Sequence, residues 1–289
     1  MKLDNSCIIR MDFINKMGGV DDLIVPERIE QKHQEDLQRL RDFRLLDDDF
    51  LTKCFEGDTA SIELVLQIVL EKPDLKVLDV RTRVFVENLL NRSVRLDILA
   101  TDSTGAKLNV EVQRSDKGAG RKRARYNSSM MDANLLKKGE DFNKLPETWV
   151  IFITENDVMG RGLPLYPIAR CFLRTGERFE DGSHILYVNG AYRGDTPIGK
   201  LMHDFSCTDA ADMYYGTLAD RVRFFKESKE GIEIMCRAME DMRNQTLKEG
   251  MKEVALRMLA AGKYALEEII NISGLSLEEV KQLKADRSA

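Results

Sequence analysis

Four apolar runs follow one another along this chain in an order that strongly limits its fold. Three of them, at 76–86, 93–100 and 107–113, are rich in Val, Ile and Leu and partly alternate with polar residues, as strands do. The fourth run, at 148–154, is almost entirely apolar and indicates a buried central strand. A basic segment with helical character lies between the third run and the fourth, so the sequence predicts an α/β protein.

The segments around these runs complete the predicted core. At 50–70 the apolar residues recur with i, i+3, i+4, i+7 spacing, which predicts a helix with one face in the core. With this helix first, the elements follow one another in the order αβββαβ. Two further short strands are predicted at 168–173 and 184–188.

Helical regions flank this core, which we place at 47–210. Residues 1–46 are dense in charge and predict a helical arm, whereas 211–289 predict helices at 221–245 and 248–284. The last of these regions has the short turns of a helix-turn-helix, but its glutamates would meet DNA phosphates unfavourably. We therefore expect it to dock on the core or to join two copies of the chain in a homo-oligomer.

The second and third runs form a predicted hairpin that brings two acidic residues together. A glycine turn joins the strands, and pairing that is symmetrical about residue 104 places Asp97 opposite Glu111. Alternation puts Leu96 and Ile98 together on the other face of their strand. Directly opposed like charges destabilise a sheet by up to about 1 kcal/mol, so the pair indicates a bound cation.

Such a pair suits a hard divalent cation. Two carboxylates, with carbonyls and water, make an oxygen-only ligand set that favours Mg²⁺ or Mn²⁺ over zinc. A cation held there can polarise a phosphoryl oxygen and lower the pKa of water, which is the chemistry of phosphodiester hydrolysis. In the alternative interpretation, Asp97 and Glu111 are solvated residues on an open face of the sheet.

A cluster of basic residues follows the Glu111 strand directly and points to DNA as the partner. The whole chain is acidic, with a net charge of −5, so a dense positive cluster is unusual in it. The cluster would bring DNA phosphates to the two carboxylates, although charge runs more often form a solubilising face. The candidate DNA-binding residues are Arg114, Lys117, Arg121, Lys122, Arg123, Arg125 and Tyr126. The tyrosine could support a phosphate through its hydroxyl or simply pack.

These motifs resemble those of a known family. Asp97 in RLDILA, followed by Glu111 in NVEVQ, is similar to the D…(D/E)-x-K pattern of restriction-endonuclease-like nucleases. The runs RYNSSMMD, LLKKGEDF and LPETWVIFIT resemble more narrowly the PD-(D/E)XK nuclease family transposases, also called recombination-promoting nucleases. The resemblance extends from about Leu46 to Asn189, or roughly half of the chain.

The resemblance implies a restriction-endonuclease-like αβββαβ core with a mixed central sheet, and a cut of DNA that depends on Mg²⁺ or Mn²⁺. Asp97 and Glu111 match the metal-binding carboxylates of the family. Members of the superfamily often send a glutamate from the first core helix to the metal, which makes Glu63 a further candidate ligand. The position of the motif lysine is taken by Gln113, which can place water by hydrogen bonds but supplies no positive charge.

Two functions therefore stay open on the sequence. The first is a metal-dependent DNA endonuclease associated with transposition or recombination. In it Asp97, Glu111 and Gln113 are catalytic, and a cation such as Arg95 or Arg125 replaces the lysine. The second is a catalytically decayed nuclease fold that binds DNA or a protein partner.

Apolar content and cysteine usage bear on location. The chain has no stretch of roughly 18 apolar residues and no apolar signal core near its start. Its five cysteines are widely spread and odd in number, which is typical of reduced thiols. We expect a cytoplasmic protein without membrane association.

Overall fold

The computed structural model describes residues 24–88 and 92–287. The chain divides into two units, 1–39 and 40–289, of which the first is described from residue 24 onwards. The described α-helices are α1 Ile24–Asp42, α2 Asp48–Phe55, α3 Thr59–Val69, α4 Arg121–Leu135, α5 Pro197–Ser206, α6 Gly216–Glu227, α7 Lys229–Ala261, α8 Leu266–Ser273 and α9 Leu277–Asp286. The described strands are β1 Val77–Val86, β2 Val94–Asp102, β3 Lys107–Gln113, β4 Thr148–Thr154, β5 Leu165–Ile168 and β6 Ser183–Asn189.

The strands form one mixed sheet in the order β1-β2-β3-β4-β6-β5. The first three strands pair antiparallel with their neighbours, and β4 lies parallel to both β3 and β6. Strand β5 pairs antiparallel with β6 at the far edge. The predicted strands β1 to β4, and the αβββαβ order of the core, are confirmed.

Strand β4 is central because apolar side chains cover both of its faces. Ile151 and Ile153 belong to a large core that includes α2, α3, α5 and α6, whereas Val150 and Phe152 belong to a second core under α4. All four side chains are fully buried. The sheet therefore lies between two helical layers, and α4 is the helix that covers the face opposite the main core.

The helix predicted at 50–70 is divided into α2 and α3. Gly57 between them has a φ of 68°, a conformation that glycine adopts without steric cost. The side chain of Asp58 then accepts hydrogen bonds from the amides of Ala60 and Ser61 and starts α3. The apolar spacing within α3 gave no sign of this interruption.

Two other sequence predictions are wrong in detail. The strand expected at 168–173 lies instead at 165–168, because Leu165 packs on the core whereas Leu173 is exposed. No break separates 221–245 from 248–284 near residue 246; α7 continues through it to Ala261. The glycine within that stretch costs a helix about 1 kcal/mol but does not end it.

The C-terminal helices belong to two cores. Val222 and Phe225 of α6, with Met235 of α7, are buried in the main core, so the start of this region is part of the α/β unit. The end of α7 forms a separate small cluster with α8 and α9, in which Ile269 and Val280 are buried. The predicted domain boundaries and self-association through these helices stay predictions.

A buried carboxylate fixes the entry into α6. Asp204 has no exposed surface, and its two oxygens accept hydrogen bonds of 2.8 Å from the amides of Tyr214 and Tyr215. His203 and Cys207 lie beside it, with ligand atoms of the three residues within 4.8 Å of one another. Because main-chain amides already occupy both oxygens of Asp204, we assign this cluster a structural role.

Candidate active site

The hairpin of β2 and β3 has the predicted register. The pairs run from Thr101 with Lys107 to Ile98 with Val110, all symmetrical about residue 104. The next position along the hairpin holds Asp97 and Glu111. The predicted register is therefore confirmed at each of these four pairs, and it leads directly to the two acids.

The alternation of side chains between the two faces of β2 is interrupted at Asp97. Leu96 is buried in the core under α4, whereas Ile98 is buried in the main core, so the predicted shared face for these two residues is wrong. On the neighbouring strand β1, Arg83 has a φ of 53°, which is unusual for a residue other than glycine. Alternation is broken at this irregularity, and the carboxylate of Asp97 lies 3.1 Å from the amide nitrogen of Val112.

Both acids are buried, which predicts a strong effect on their ionisation. Asp97 is 7% exposed and Glu111 is 0% exposed. Burial raises the pKa of Asp97, and the carboxylates of Glu111 and Asp48 raise it further. Burial also raises the pKa of Glu111, while Arg123 and Asn109 offset part of that rise. The pair therefore has less positive charge around it than two carboxylates need.

Arg123 contacts Glu111, one member of the pair, directly. Nη2 of Arg123 lies 2.8 Å from Oε2 of Glu111, and Nδ2 of Asn109 lies 3.1 Å from Oε1 of the same carboxylate. Nη1 of Arg123 donates to Oε1 of Gln113 at 3.1 Å and to the carbonyl of Gly118 at 3.1 Å. Gln113, at the position of the motif lysine, is thus connected to Glu111 through this guanidinium.

The first helices supply a different acid from the one that the sequence suggested. Glu63 accepts hydrogen bonds from Nζ of Lys76 at 2.8 Å and from the amide of Val77 at 2.9 Å, which lower its pKa and tie it to the start of β1. The structure does not bring Glu63 to the carboxylate pair. Asp48, in the first turn of α2, lies close enough to raise the pKa of both Asp97 and Glu111.

The sequence alone does not distinguish Asp48, because acids are common in the first turn of a helix. It belongs to the run Asp47-Asp48-Asp49, and Asp47 and Asp49 pair with arginines elsewhere. Only tertiary packing separates the role of Asp48 from those of its neighbours. No local spacing in the sequence carries that information.

A cleft of about 1130 Å³ opens beside Asp97 and Gln113. Four of the predicted DNA-binding residues line it, namely Lys122, Arg123, Arg125 and Tyr126 of α4. The other cationic and polar lining residues include Arg92, Arg95, Asn88 and Asn127. Asp97, unlike the fully buried Glu111, lines this cleft together with these positive side chains.

The remaining predicted DNA-binding residues do not line this cleft. Arg114 forms ion pairs with Asp47 and Glu155, at 2.7 and 3.4 Å. Arg121 lies at a second cavity, where its Nη2 contacts Sδ of Met159. The side chain of Lys117 lies outside the described part of the structure.

Tyr126 and Asn127 are polar residues at the wall of the cleft. The hydroxyl of Tyr126 donates to the carbonyl of Arg92, so this residue has a packing role at least. Asn127 is 2% exposed, and its Nδ2 has no hydrogen-bond partner among the residues that the structure describes. Unpaired buried donors are rare, which makes Asn127 a candidate donor to a ligand.

A mixed sheet between helical layers, with two buried acids at a hairpin and a basic helix beside them, defines a restriction-endonuclease-like nuclease fold. The family model of the PD-(D/E)XK nuclease family transposases matches residues 59–189. The resemblance inferred from the motifs is therefore confirmed over this segment, which is somewhat less than half of the chain. The chain matches no curated protein and no solved structure.

The family carries general properties with it. PD-(D/E)XK nucleases act on DNA and generally use divalent metal ions. Among the helices of the described residues, none has the length and apolar character needed to cross a bilayer. The cytoplasmic location stays a prediction.

Proposed function

We propose that this chain is a metal-dependent DNA endonuclease that hydrolyses phosphodiester bonds in transposition or recombination. The observation that carries the proposal is the buried pair of Asp97 and Glu111 beside a cation-lined cleft. Buried like charges are costly unless a cation neutralises them. A sequence that keeps them, against their raised pKa values, has a use for them when ionised.

The donor set at this pair fits Mg²⁺ or Mn²⁺. Asp97 and Glu111 would hold the ion, and Asp48 adds negative charge from α2. All three offer carboxylate oxygens, which are the ligands that hard divalent cations prefer. When bound, such a cation supplies Lewis acidity that withdraws charge from the phosphoryl oxygens.

The side chains of the cleft would hold the DNA backbone. Lys122 and Arg125 project from the first turns of α4, and Arg95 comes from β2. Helix α4 begins at Arg121, and its N-cap residue, Gly120, has no side chain to cap the first amides. The positive end of a helix and nearby cations both favour phosphate, so the groups act together.

For the hydrolysis, the side chains of the cleft would bind the phosphate, orient the attacking water and stabilise negative charge on the phosphoryl oxygens. A water oxygen forms a bond to phosphorus, the bond to one ester oxygen breaks, and one proton of the water passes through solvent to that ester oxygen, which leaves as an alcohol. Gln113 can hydrogen-bond the water but cannot accept its proton at neutral pH. The residues at the cleft would therefore align the water and the phosphate rather than supply a strong base.

The alternative function is a decayed nuclease that only binds DNA or protein. One observation favours it, since Gln113 replaces a lysine of the family pattern. Gln113→Lys distinguishes the two functions in a plasmid-nicking assay with Mg²⁺ or Mn²⁺. Cleavage by the parent protein supports the proposed nuclease, whereas cleavage that begins only in the Gln113→Lys variant shows that the natural site is inactive.

A further inference from the structure

The guanidinium of Arg123 occupies a fixed place between two residues of the nuclease motif. It reaches Glu111 with Nη2 at 2.8 Å and Gln113 with Nη1 at 3.1 Å. A third contact of 3.1 Å, from Nη1 to the carbonyl of Gly118, fixes the plane of the group. Arg123 extends from the first turn of α4, so this cation reaches the motif from the helix and not from β3.

Gly118 makes room for this arrangement. A Cβ atom at that position would lie 1.9 Å from Oε1 of Gln113, well inside any allowed contact. The amide of Gln113 therefore packs directly against the glycine, and from there accepts the hydrogen bond of Arg123. Gln113 and Gly118 together hold the guanidinium in register with Glu111.

The other cations of the cleft have no such contact. Arg95, Lys122 and Arg125 line the cleft, but none forms an ion pair with Asp97 or Glu111 among the described residues. The sequence suggests Arg95 or Arg125 as the replacement cation. The structure places Arg123 there instead.

Arg123 retains donors for a substrate. Its side chain is 42% exposed and lines the cleft, although one edge of the guanidinium is bound to Glu111 and Gln113. A guanidinium has five N–H donors in one plane and stays charged at every relevant pH. It can therefore serve Glu111 and a phosphate oxygen together, which the neutral amide of Gln113 cannot do.

We propose that Arg123 is the catalytic cation of this site and performs the task that the family pattern assigns to a lysine at position 113. Gln113 is then a positioning residue, since it acts by orienting Arg123. This inference rests on the proposed nuclease function. Arg123 donates hydrogen bonds to the phosphoryl oxygens as negative charge grows on them, and it transfers no proton.

The inference predicts opposite effects on metal binding and on cleavage. Arg123 opposes the binding of a divalent cation at Glu111 through charge repulsion, so Arg123→Gln should bind Mn²⁺ as tightly as the parent or several-fold more tightly. Its cleavage rate at saturating Mn²⁺ should fall by about 100-fold or more, as when a donor to a transition-state oxyanion is removed. A residue with only a structural role would weaken both properties together.

Three further variants refine the test. Gly118→Ala displaces the amide of Gln113 without removing a charge, and should slow cleavage about tenfold with Mn²⁺ affinity nearly unchanged. Arg123→Gln combined with Gln113→Lys should regain part of the lost rate, because a cation returns beside Glu111. Arg125→Gln removes a positive charge two residues further along α4. This variant should raise KM for DNA, because Arg125 lines the cleft without contacting Glu111.

The experiment measures Mn²⁺ binding by titration calorimetry and nicking of supercoiled plasmid by the full-length protein and these variants. Loss of cleavage in Arg123→Gln with retained Mn²⁺ binding, together with the partial rescue, supports the inference. Cleavage within threefold of the parent, or parallel loss of metal binding and cleavage, overturns it. Absence of cleavage by the parent, by contrast, overturns the proposed nuclease function. If Arg123→Gln does not fold, Gly118→Ala serves as the test. Slowed cleavage in Gly118→Ala with retained Mn²⁺ binding supports the inference, and a parental cleavage rate overturns it.

Discussion

The amide nitrogen of Val112 lies 3.1 Å from Oδ2 of Asp97, so the strand that carries Glu111 also holds the other acid in place. The contact joins β2 and β3 at the point where alternation in β2 is broken. It satisfies one oxygen of Asp97, and the rest of the carboxylate faces Glu111, Asp48 and the cleft. The two acids are therefore held together by the backbone, at a cost in folding free energy that depends on pH.

Asp97→Asn should stabilise the metal-free protein, and more so at high pH. The pKa of Asp97 is raised in the folded protein above its ordinary value of 3.8, so the folded state retains a proton that the unfolded chain releases. The free energy of unfolding of the parent therefore falls as pH rises through that window. The gain at pH 8 should be on the order of 1–3 kcal/mol, and smaller at pH 5.

Thermal unfolding in buffer with a chelator at pH 5 and pH 8 measures this gain. Asp74→Asn, an exposed acid at the turn before β1, is the matched control and should give the same small change at both pH values. An Asp97→Asn variant that is less stable than the parent at pH 8 would contradict the account of a buried, uncompensated pair.

The affinity for a divalent cation should rise with pH, whereas the stability of the metal-free parent falls. A divalent cation must displace the protons that the raised pKa values of Asp97 and Glu111 retain, so its affinity should rise with pH. We expect Mn²⁺ to bind roughly tenfold more tightly at pH 8 than at pH 7. Titration calorimetry in buffers of different ionisation heat checks both the affinity and the proton release. Binding that is unchanged between these pH values would argue that the ion binds elsewhere.

Neutral variants of Asp48 and Glu63 should affect different properties, namely metal affinity for Asp48 and stability for Glu63. Asp48→Asn should weaken Mn²⁺ binding several-fold, because it removes a negative charge beside the pair. Glu63→Gln should leave metal binding unchanged and cost about 1 kcal/mol in unfolding free energy, since it weakens the contacts with Lys76 and Val77. Metal titration and chemical denaturation of both variants test this, and the reverse pattern would return Glu63 to the site.

Substitution of the basic residues around α4 should affect the salt dependence of DNA binding only where the side chain lines the cleft. Arg95→Gln and Lys122→Gln remove cleft cations, so each should weaken DNA binding and reduce the slope of log affinity against log salt by about 0.9. Arg114→Gln and Arg121→Gln should leave that slope unchanged, because these side chains contact Asp47, Glu155 and Met159 instead. Fluorescence anisotropy with a short duplex over a salt series gives the slopes, and equal effects in all four variants would contradict the assignment of the cleft.

The sequence predicted the sheet well because each strand carries its own pattern. The all-apolar run of β4 and the hairpin register about residue 104 depend on local composition and turn length. From these, the hairpin register followed correctly as far as Ile98 and Val110, one position before Asp97 and Glu111. The break in β2 did not, since it lies beside Arg83 of another strand, whose positive φ no local pattern signals.

The surroundings of the acids were less accessible from the sequence. Asp48 lies in the first turn of α2, and the packing of that helix brings it near the pair. Its acidic neighbours Asp47 and Asp49 look the same in the sequence but form ion pairs with arginines. The basic run was found as a group, but which of its members turns toward Glu111 depends on the rotation of α4 about its axis. That rotation is set by the core under the helix, where Met130 and Met131 are buried.

Cleavage of supercoiled plasmid by the parent protein and by Asp97→Asn, with and without Mg²⁺ or Mn²⁺, tests the central claim most directly. The account predicts nicking by the parent only when the ion is present, and a loss of about 100-fold or more in Asp97→Asn although that variant stays folded and binds DNA. Nicking that persists in a chelator, or at the parental rate in Asp97→Asn, would contradict it.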